Sequence, residues 1–105
     1  MKIPGGMGNM QQMMAQAQKM QAKLQEEIAA IRVEGTSGGG MVAIKMDGQK
    51  NVLAVKIDPE AAGDAEMLQD MVMAACNDAV KRVEDETKKK TSALLGGMGL
   101  PPGMF

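Results

Sequence analysis

Few side chains in this sequence could carry catalytic chemistry. The 105 residues include no His, the side chain that most readily exchanges protons near neutral pH, and only one Cys. Cys76 lies on an apolar helical stripe between Ala75 and Ala79, so we interpret it as a core residue rather than a nucleophile. We therefore expect that the protein is not an enzyme.

Three other patterns could bind ions, but each has a simpler explanation. Five acidic residues have the positions typical of helix starts and lack the spacing of a calcium loop: Asp58, Glu60, Asp64, Glu66 and Asp70. Four methionines could offer thioethers to Cu(I), but no Cys or His assists them: Met7, Met10, Met13 and Met14. The run 38–40 lacks the helix and Lys of a phosphate-binding loop and predicts a hairpin turn. We expect neither a metal nor a cofactor.

Basic residues are the remaining candidates. The formal net charge is only −1, but charge is unevenly distributed. Residues 1–25 hold three lysines and no acid, residues 26–70 hold nine acids and four bases, and residues 71–105 hold five bases and four acids. The candidates for contacting an anionic backbone are Lys19, Lys23, Lys81, Arg82, Lys88, Lys89 and Lys90.

A solvated helix is the alternative reading of the C-terminal bases. Opposite charges recur there four residues apart, in the pairs Asp78–Arg82, Lys81–Asp85, Arg82–Glu86, Glu84–Lys88, Asp85–Lys89 and Glu86–Lys90. Exposed ion pairs of this kind typically contribute less than about 1 kcal/mol, so phosphates could still compete for the basic partners.

A long helix is predicted from Asn9 to Ile31, with Asn9 as its cap and Gln12 reaching back to it. Apolar residues recur along it at the spacing of a coiled-coil-like seam: Met10, Met13, Ala17, Met20, Leu24 and Ile31. Such a helix would be roughly 34 Å long, whereas a six-residue strand spans about 20 Å. Its N-terminal half should therefore overhang the sheet and need a partner for its apolar stripe.

Three strands follow and then a second long helix. Alternating residues predict strands at 33–37, 41–47 and 51–57, joined by turns at 38–40 and at Asp47-Gly48. Asp58-Pro59 opens a short helical turn, and Asp64 caps a helix that ends at Gly96-Gly97. The buried stripe of this helix should comprise Leu68, Met71, Val72, Ala75, Cys76, Ala79, Val80 and Val83.

This element order predicts a two-layer α+β domain: a long N-terminal helix, a three-stranded antiparallel meander and a long C-terminal helix. We expect one domain at 9–95 between flexible tails at 1–8 and 96–105. Both long helices should project from the body with their basic ends. One Cys, no signal peptide and no apolar run of about 20 residues suit a cytoplasmic protein that does not enter a membrane.

The chain resembles the YbaB/EbfC family of bacterial nucleoid-associated proteins. The resemblance covers nearly the whole length in order and rests on many weak motifs rather than one distinctive motif. The matching segments are Gly8-Asn9, Ala17-Gln18-Lys19-Met20-Gln21, Gln25-Glu26-Glu27, Gly35, Ser37-Gly38-Gly39-Gly40, Asp47-Gly48, Ile57-Asp58-Pro59-Glu60, Asp64, Glu66-Met67-Leu68, Asp70, Ala74-Ala75, Asn77-Asp78-Ala79, Gly96-Gly97, Leu100-Pro101-Pro102-Gly103 and Phe105.

The resemblance implies a homodimer joined through its central bodies, with long helices projecting like the arms of tweezers. It also implies double-stranded DNA binding in the nucleoid without enzymatic turnover, with replication or recombination proteins as further partners. Our hypothesis from the sequence is a dimer that holds the DNA backbone with the basic ends of its helices. The alternative is a protein–protein adaptor whose Met-rich seam binds an amphipathic partner helix.

Overall fold

A computed structural model of the chain describes residues 6–96, and its elements follow in the predicted order. Their bounds are α1 Gly6–Ala29, β1 Arg32–Ser37, β2 Val42–Asp47, β3 Val52–Ile57, α2 Pro59–Ala62 and α3 Ala65–Gly96. The predicted α+β class, with a three-stranded antiparallel sheet between two long helices, is confirmed.

The sheet is an antiparallel meander in the order β1-β2-β3. The predicted turn between β1 and β2 needs glycine, because Gly38, Gly39 and Gly40 have φ angles of 59°, 69° and 96°. The turn between β2 and β3 is organised by Asp47, whose Oδ1 accepts hydrogen bonds from the backbone N–H groups of Gln49 and Asn51, each at 2.9 Å.

The core lies between α3 and one face of the first two strands. Val42, Ile44 and Met46 of β2 are 0 to 3% exposed, as their alternation predicts. They pack against the buried Ala75, Ala79 and Val83 of α3; partly buried residues complete the predicted stripe. Because α3 contacts β1 and β2, the third strand receives no comparable cover.

Both predicted caps after the sheet are confirmed. The Asp58 carboxylate accepts a hydrogen bond from the Glu60 N–H at 2.9 Å, with Pro59 in the first turn of α2. The Asp64 carboxylate accepts one from the Met67 N–H at 3.1 Å and so caps α3. These caps fix where the chain leaves the sheet and where α3 begins.

The start of α1 differs from the prediction. The helix begins at Gly6, so the backbone of Asn9 lies within the helix rather than capping it. A capping preference is worth about 1 kcal/mol, too little to stop a helix on its own. The predicted tail residues 1–5 and 97–105 lie outside the described residues.

The two long helices leave the sheet side by side in opposite chain directions. Met20 and Leu24 of α1 lie beside Leu94 and Leu95 of α3, and Ile28 lies near Val83. The body and this helix pair together measure 79 × 24 × 16 Å, so the predicted projection is confirmed. Within residues 6–96, neither long helix has the unbroken apolar stretch needed to cross a bilayer.

Candidate nucleic-acid interface

The projecting helix pair carries positive charge only. We define the arm as residues 6–25 of α1 and 87–96 of α3. It contains five lysines and no Asp or Glu: Lys19, Lys23, Lys88, Lys89 and Lys90. All thirteen acidic residues of the chain fall between residues 26 and 86, the part that forms the body, together with six basic residues. A mildly acidic protein thus contains a locally basic rod.

Four of the five arm lysines are exposed to solvent. Lys19, Lys23, Lys88 and Lys89 are exposed, whereas Lys90 is half-buried. A long aliphatic stem can lie along an apolar surface while its ammonium group stays in water, so this burial is compatible with a phosphate contact. Lys23 also lines a shallow cleft with Ala93 and Leu94 of the neighbouring helix, which brings basic groups of both helices to the same region.

Lys81 and Arg82 lie on the body, where α3 crosses the sheet. Both are exposed. The Arg82 Nε donates to Asp78 Oδ2 at 3.0 Å, and the same oxygen accepts the Thr36 N–H at 3.0 Å. The Thr36 donation first, and then the Arg82 side chain, hold the pKa of Asp78 below its ordinary value of 3.8. Arg82 therefore has a structural role in joining α3 to β1.

The charge lattice predicted along α3 forms only in small part. Of the six i,i+4 pairs, Asp78–Arg82 is within ion-pair distance among the described residues. Lys89 Nζ instead lies 3.6 Å from Glu86 Oε1, and Glu84 Oε1 lies 3.4 Å from Lys50 Nζ of the turn after β2. Exposed long side chains gain too little from pairing to be held in one geometry. Lys81, Lys88 and Lys90 make no ion pair within residues 6–96.

Two basic residues at the base of the arm were not singled out from the sequence. Lys50 and Lys88 line the same shallow cavity beside Ile28. Arg32 lies at the start of β1, in a cleft of about 440 Å³ that it shares with Arg82 and Lys89 on one side and three acids on the other. The sequence placed both in short strand and turn segments, and only the fold brings them next to α3.

Catalytic or metal-binding geometry is not apparent in the described part of the chain. Nowhere within residues 6–96 do three His, Cys, Asp or Glu side chains come close enough to hold a metal ion. Cys76 is partly buried against the core, where the sequence predicted it.

The third strand is the second unusual surface. In register, Val55 lies opposite the buried Ile44, and Ile57 opposite the buried Val42, so β3 continues the core face of the sheet. No helix covers it, and four apolar side chains are 41 to 50% exposed: Val52, Leu53, Val55 and Ile57. β3 is also an edge strand of the described sheet, so its outer backbone groups have no strand beside them.

Comparisons with known proteins agree with this architecture. A curated nucleoid-associated protein of Acidobacterium capsulatum is 48% identical over 103 residues, which cover 91% of this chain and 95% of that protein. A crystal structure of an uncharacterized Helicobacter pylori protein, HP0035, superimposes with a TM-score of 0.61 at 30% identity, covering 73% of this chain and 92% of that one. Residues 7–98 match the YbaB/EbfC DNA-binding family. The chain therefore belongs to the YbaB/EbfC DNA-binding family.

Proposed function

We propose that this protein is a nucleoid-associated, dimeric DNA-binding protein that holds the backbone of double-stranded DNA with its basic arms. The observation that carries the proposal is the separation of charge, with five lysines and no carboxylate on the arm and every acidic residue on the body. Membership of a DNA-binding family supports the identity of the ligand.

The mechanism follows from electrostatics. Ammonium groups on the arm neutralise phosphates and release condensed counterions, which favours binding without reading the base sequence. The acidic body repels the same phosphates and so confines DNA to the arm. Exposed amides of α1 can add hydrogen bonds to the backbone: Gln16, Gln18 and Gln21. Among the seven basic residues nominated from the sequence, those of the arm contribute most, and Lys81 and Arg82 act from its base.

Dimerisation supplies a second arm. β3 offers an apolar continuation of the core face and an unpaired edge, and both favour association with an identical strand about a two-fold axis. A chain of 105 residues with one aromatic side chain has a small core, which a subunit interface would extend. Two arms double the number of lysines that one DNA segment can meet.

Matched charge removal tests the proposal. The arm variant replaces Lys88, Lys89 and Lys90 with Gln, and the body variant replaces Lys45, Lys50 and Lys56 with Gln. Both remove three positive charges per chain, so a general charge effect would weaken both equally. We expect the arm variant to lose at least about tenfold in affinity for a 30-bp duplex at low salt, or about 1.4 kcal/mol. Equal losses in the two variants would refute the arm as the binding surface.

A protein–protein adaptor is the second candidate, and one observation favours it. Met10, Met13 and Met14 are 62 to 68% exposed on the N-terminal half of α1. Such a stripe could bind an amphipathic helix. Replacing all three with Gln would abolish adaptor binding but leave lysine-dependent DNA binding intact, whereas the arm variant would do the reverse.

A further inference from the structure

An apolar strip on α1 extends beyond the end of α3. The pairing of the two helices reaches Ala17, beside Leu94 and Leu95, and α3 ends at Gly96. From that level α1 continues for several residues toward its N-terminus with Met13, Met14 and Met10 facing solvent. Exposed contiguous apolar side chains of this size normally have a partner.

A groove between the two helices continues this strip. Its volume is about 260 Å³, and its lining is apolar except for one amide: Ala17, Met20, Gln21, Leu24, Leu94 and Leu95. Binding sites for drug-sized molecules are usually about 300–1,000 Å³ and carry several placed polar groups. The groove is too small and too uniformly apolar for such a ligand, and it suits a few apolar side chains.

We infer that residues 97–105 of the same chain fold back on α1 and cover this strip. The segment starts directly after Gly96, at the groove, and α3 delivers it toward the exposed methionines. Nine extended residues reach about 30 Å, whereas Met10 lies only about 10 Å along the helix from Ala17. The segment is therefore long enough to cover the strip and to turn back into the groove.

The composition of residues 97–105 suits this position. The segment carries no charge and four large apolar side chains, namely Met98, Leu100, Met104 and Phe105, the one aromatic residue of the chain. Gly97 and Gly99 permit the turn away from α3. Pro101-Pro102 favours an extended backbone and removes two N–H donors that an apolar surface would leave unsatisfied. The docked segment occupies the surface that a partner helix would need, without touching the lysines through charge.

A single tryptophan tests this inference directly. The protein contains no Trp or Tyr, so the Phe105→Trp variant has one fluorophore and no background. We expect its emission at shorter wavelength, and its quenching by acrylamide several-fold weaker, than in a peptide of residues 97–105 with the same substitution. Adding Met10→Gln and Met13→Gln should restore peptide-like emission and quenching.

A control and a second probe make the outcomes decisive. Met73→Gln alters a methionine on α3 that is 59% exposed and lies outside the groove, so it should leave the emission unchanged. Leu100→Trp repeats the measurement should the substitution at Phe105 itself prevent docking. Peptide-like quenching of both tryptophan variants would overturn the inference. Protection that disappears on dilution would overturn it too, because the segment would then lie on a second copy. Neither outcome bears on DNA binding by the arm lysines.

Discussion

Gly48 lies against the backbone carbonyl of Ile28, where the turn after β2 meets the last turns of α1. A Cβ at Gly48 would overlap the carbonyl oxygen and lie 2.6 Å from the carbonyl carbon. The absence of a side chain at this position lets α1 leave the sheet close to the turn and beside α3. The contact thus helps to set the direction of the arm, and with it the position of the arm lysines.

Gly48→Ala should destabilise the protein by about 1–3 kcal/mol, the usual cost of inserting atoms into a packed contact. The clash involves backbone, so α1 must shift for the side chain to fit. Urea unfolding followed by circular dichroism measures the loss. Gly63→Ala is the matched control, because its nearest neighbour would be the Glu60 carbonyl oxygen at 3.8 Å and its φ is −75°. Equal stability of the two variants would contradict the close approach at Gly48.

Gly35→Ala should be at least as costly, because Gly35 is where α3 packs on the sheet. A Cβ there would lie 2.7 Å from the Ala79 Cα and closer still to two other backbone atoms of α3. Helix and strand would have to separate, which opens the core around Ile44. We expect a lower urea midpoint and faster amide hydrogen exchange in α3. Wild-type exchange protection in this variant would show that the helix does not approach the strand so closely.

Asp78→Asn should lower stability at neutral pH and weaken its dependence on acid. The pKa of Asp78 is held below 3.8, chiefly by the Thr36 N–H. A depressed pKa stabilises the fold above the unfolded value, and this stabilisation is lost as pH falls through the folded value, below about pH 4. Asp47 has a lowered pKa as well, chiefly through the Asn51 N–H, so part of the acid dependence should persist. Urea midpoints at pH 7 and pH 3 measure the effect, and identical pH profiles for variant and wild type would exclude it.

Leu53→Lys with Val55→Lys should convert the proposed dimer into a monomer. Both side chains are about half exposed on β3, so the change costs little in the isolated chain but places charges in a subunit interface. Sedimentation equilibrium gives the mass. Met73→Lys, on exposed α3 surface, is the control and should leave the mass unchanged. A variant that keeps the wild-type mass would show that subunits do not associate through this strand.

The elements could be predicted from the sequence where a local pattern determines them. Alternation along β2 identified the buried Val42, Ile44 and Met46, and short polar side chains identified the caps at Asp58 and Asp64. These features depend on residues within a few positions of one another. The start of α1 was wrong because helix ends depend on small free-energy differences that a capping preference does not decide.

Features that depend on tertiary placement could not be predicted in the same way. Leu53, Val55 and Ile57 have the same alternation as the residues of β2, yet they are exposed because α3 crosses only the neighbouring strands. Lys50 reaches Glu84 only because a turn and a helix meet. The arm lysines were visible in the sequence, but the absence of nearby carboxylates becomes meaningful only once the helix ends are known.

The salt dependence of DNA affinity tests the central claim most directly. On protein of known mass, we predict that the logarithm of the association constant falls linearly with the logarithm of salt concentration. For roughly four to eight phosphate contacts per dimer the slope should be about −4 to −7. The variant lacking Lys88, Lys89 and Lys90 should have a clearly shallower slope. Affinity that hardly changes between low and moderate salt, or an arm variant with the wild-type slope, would contradict backbone binding by the arm.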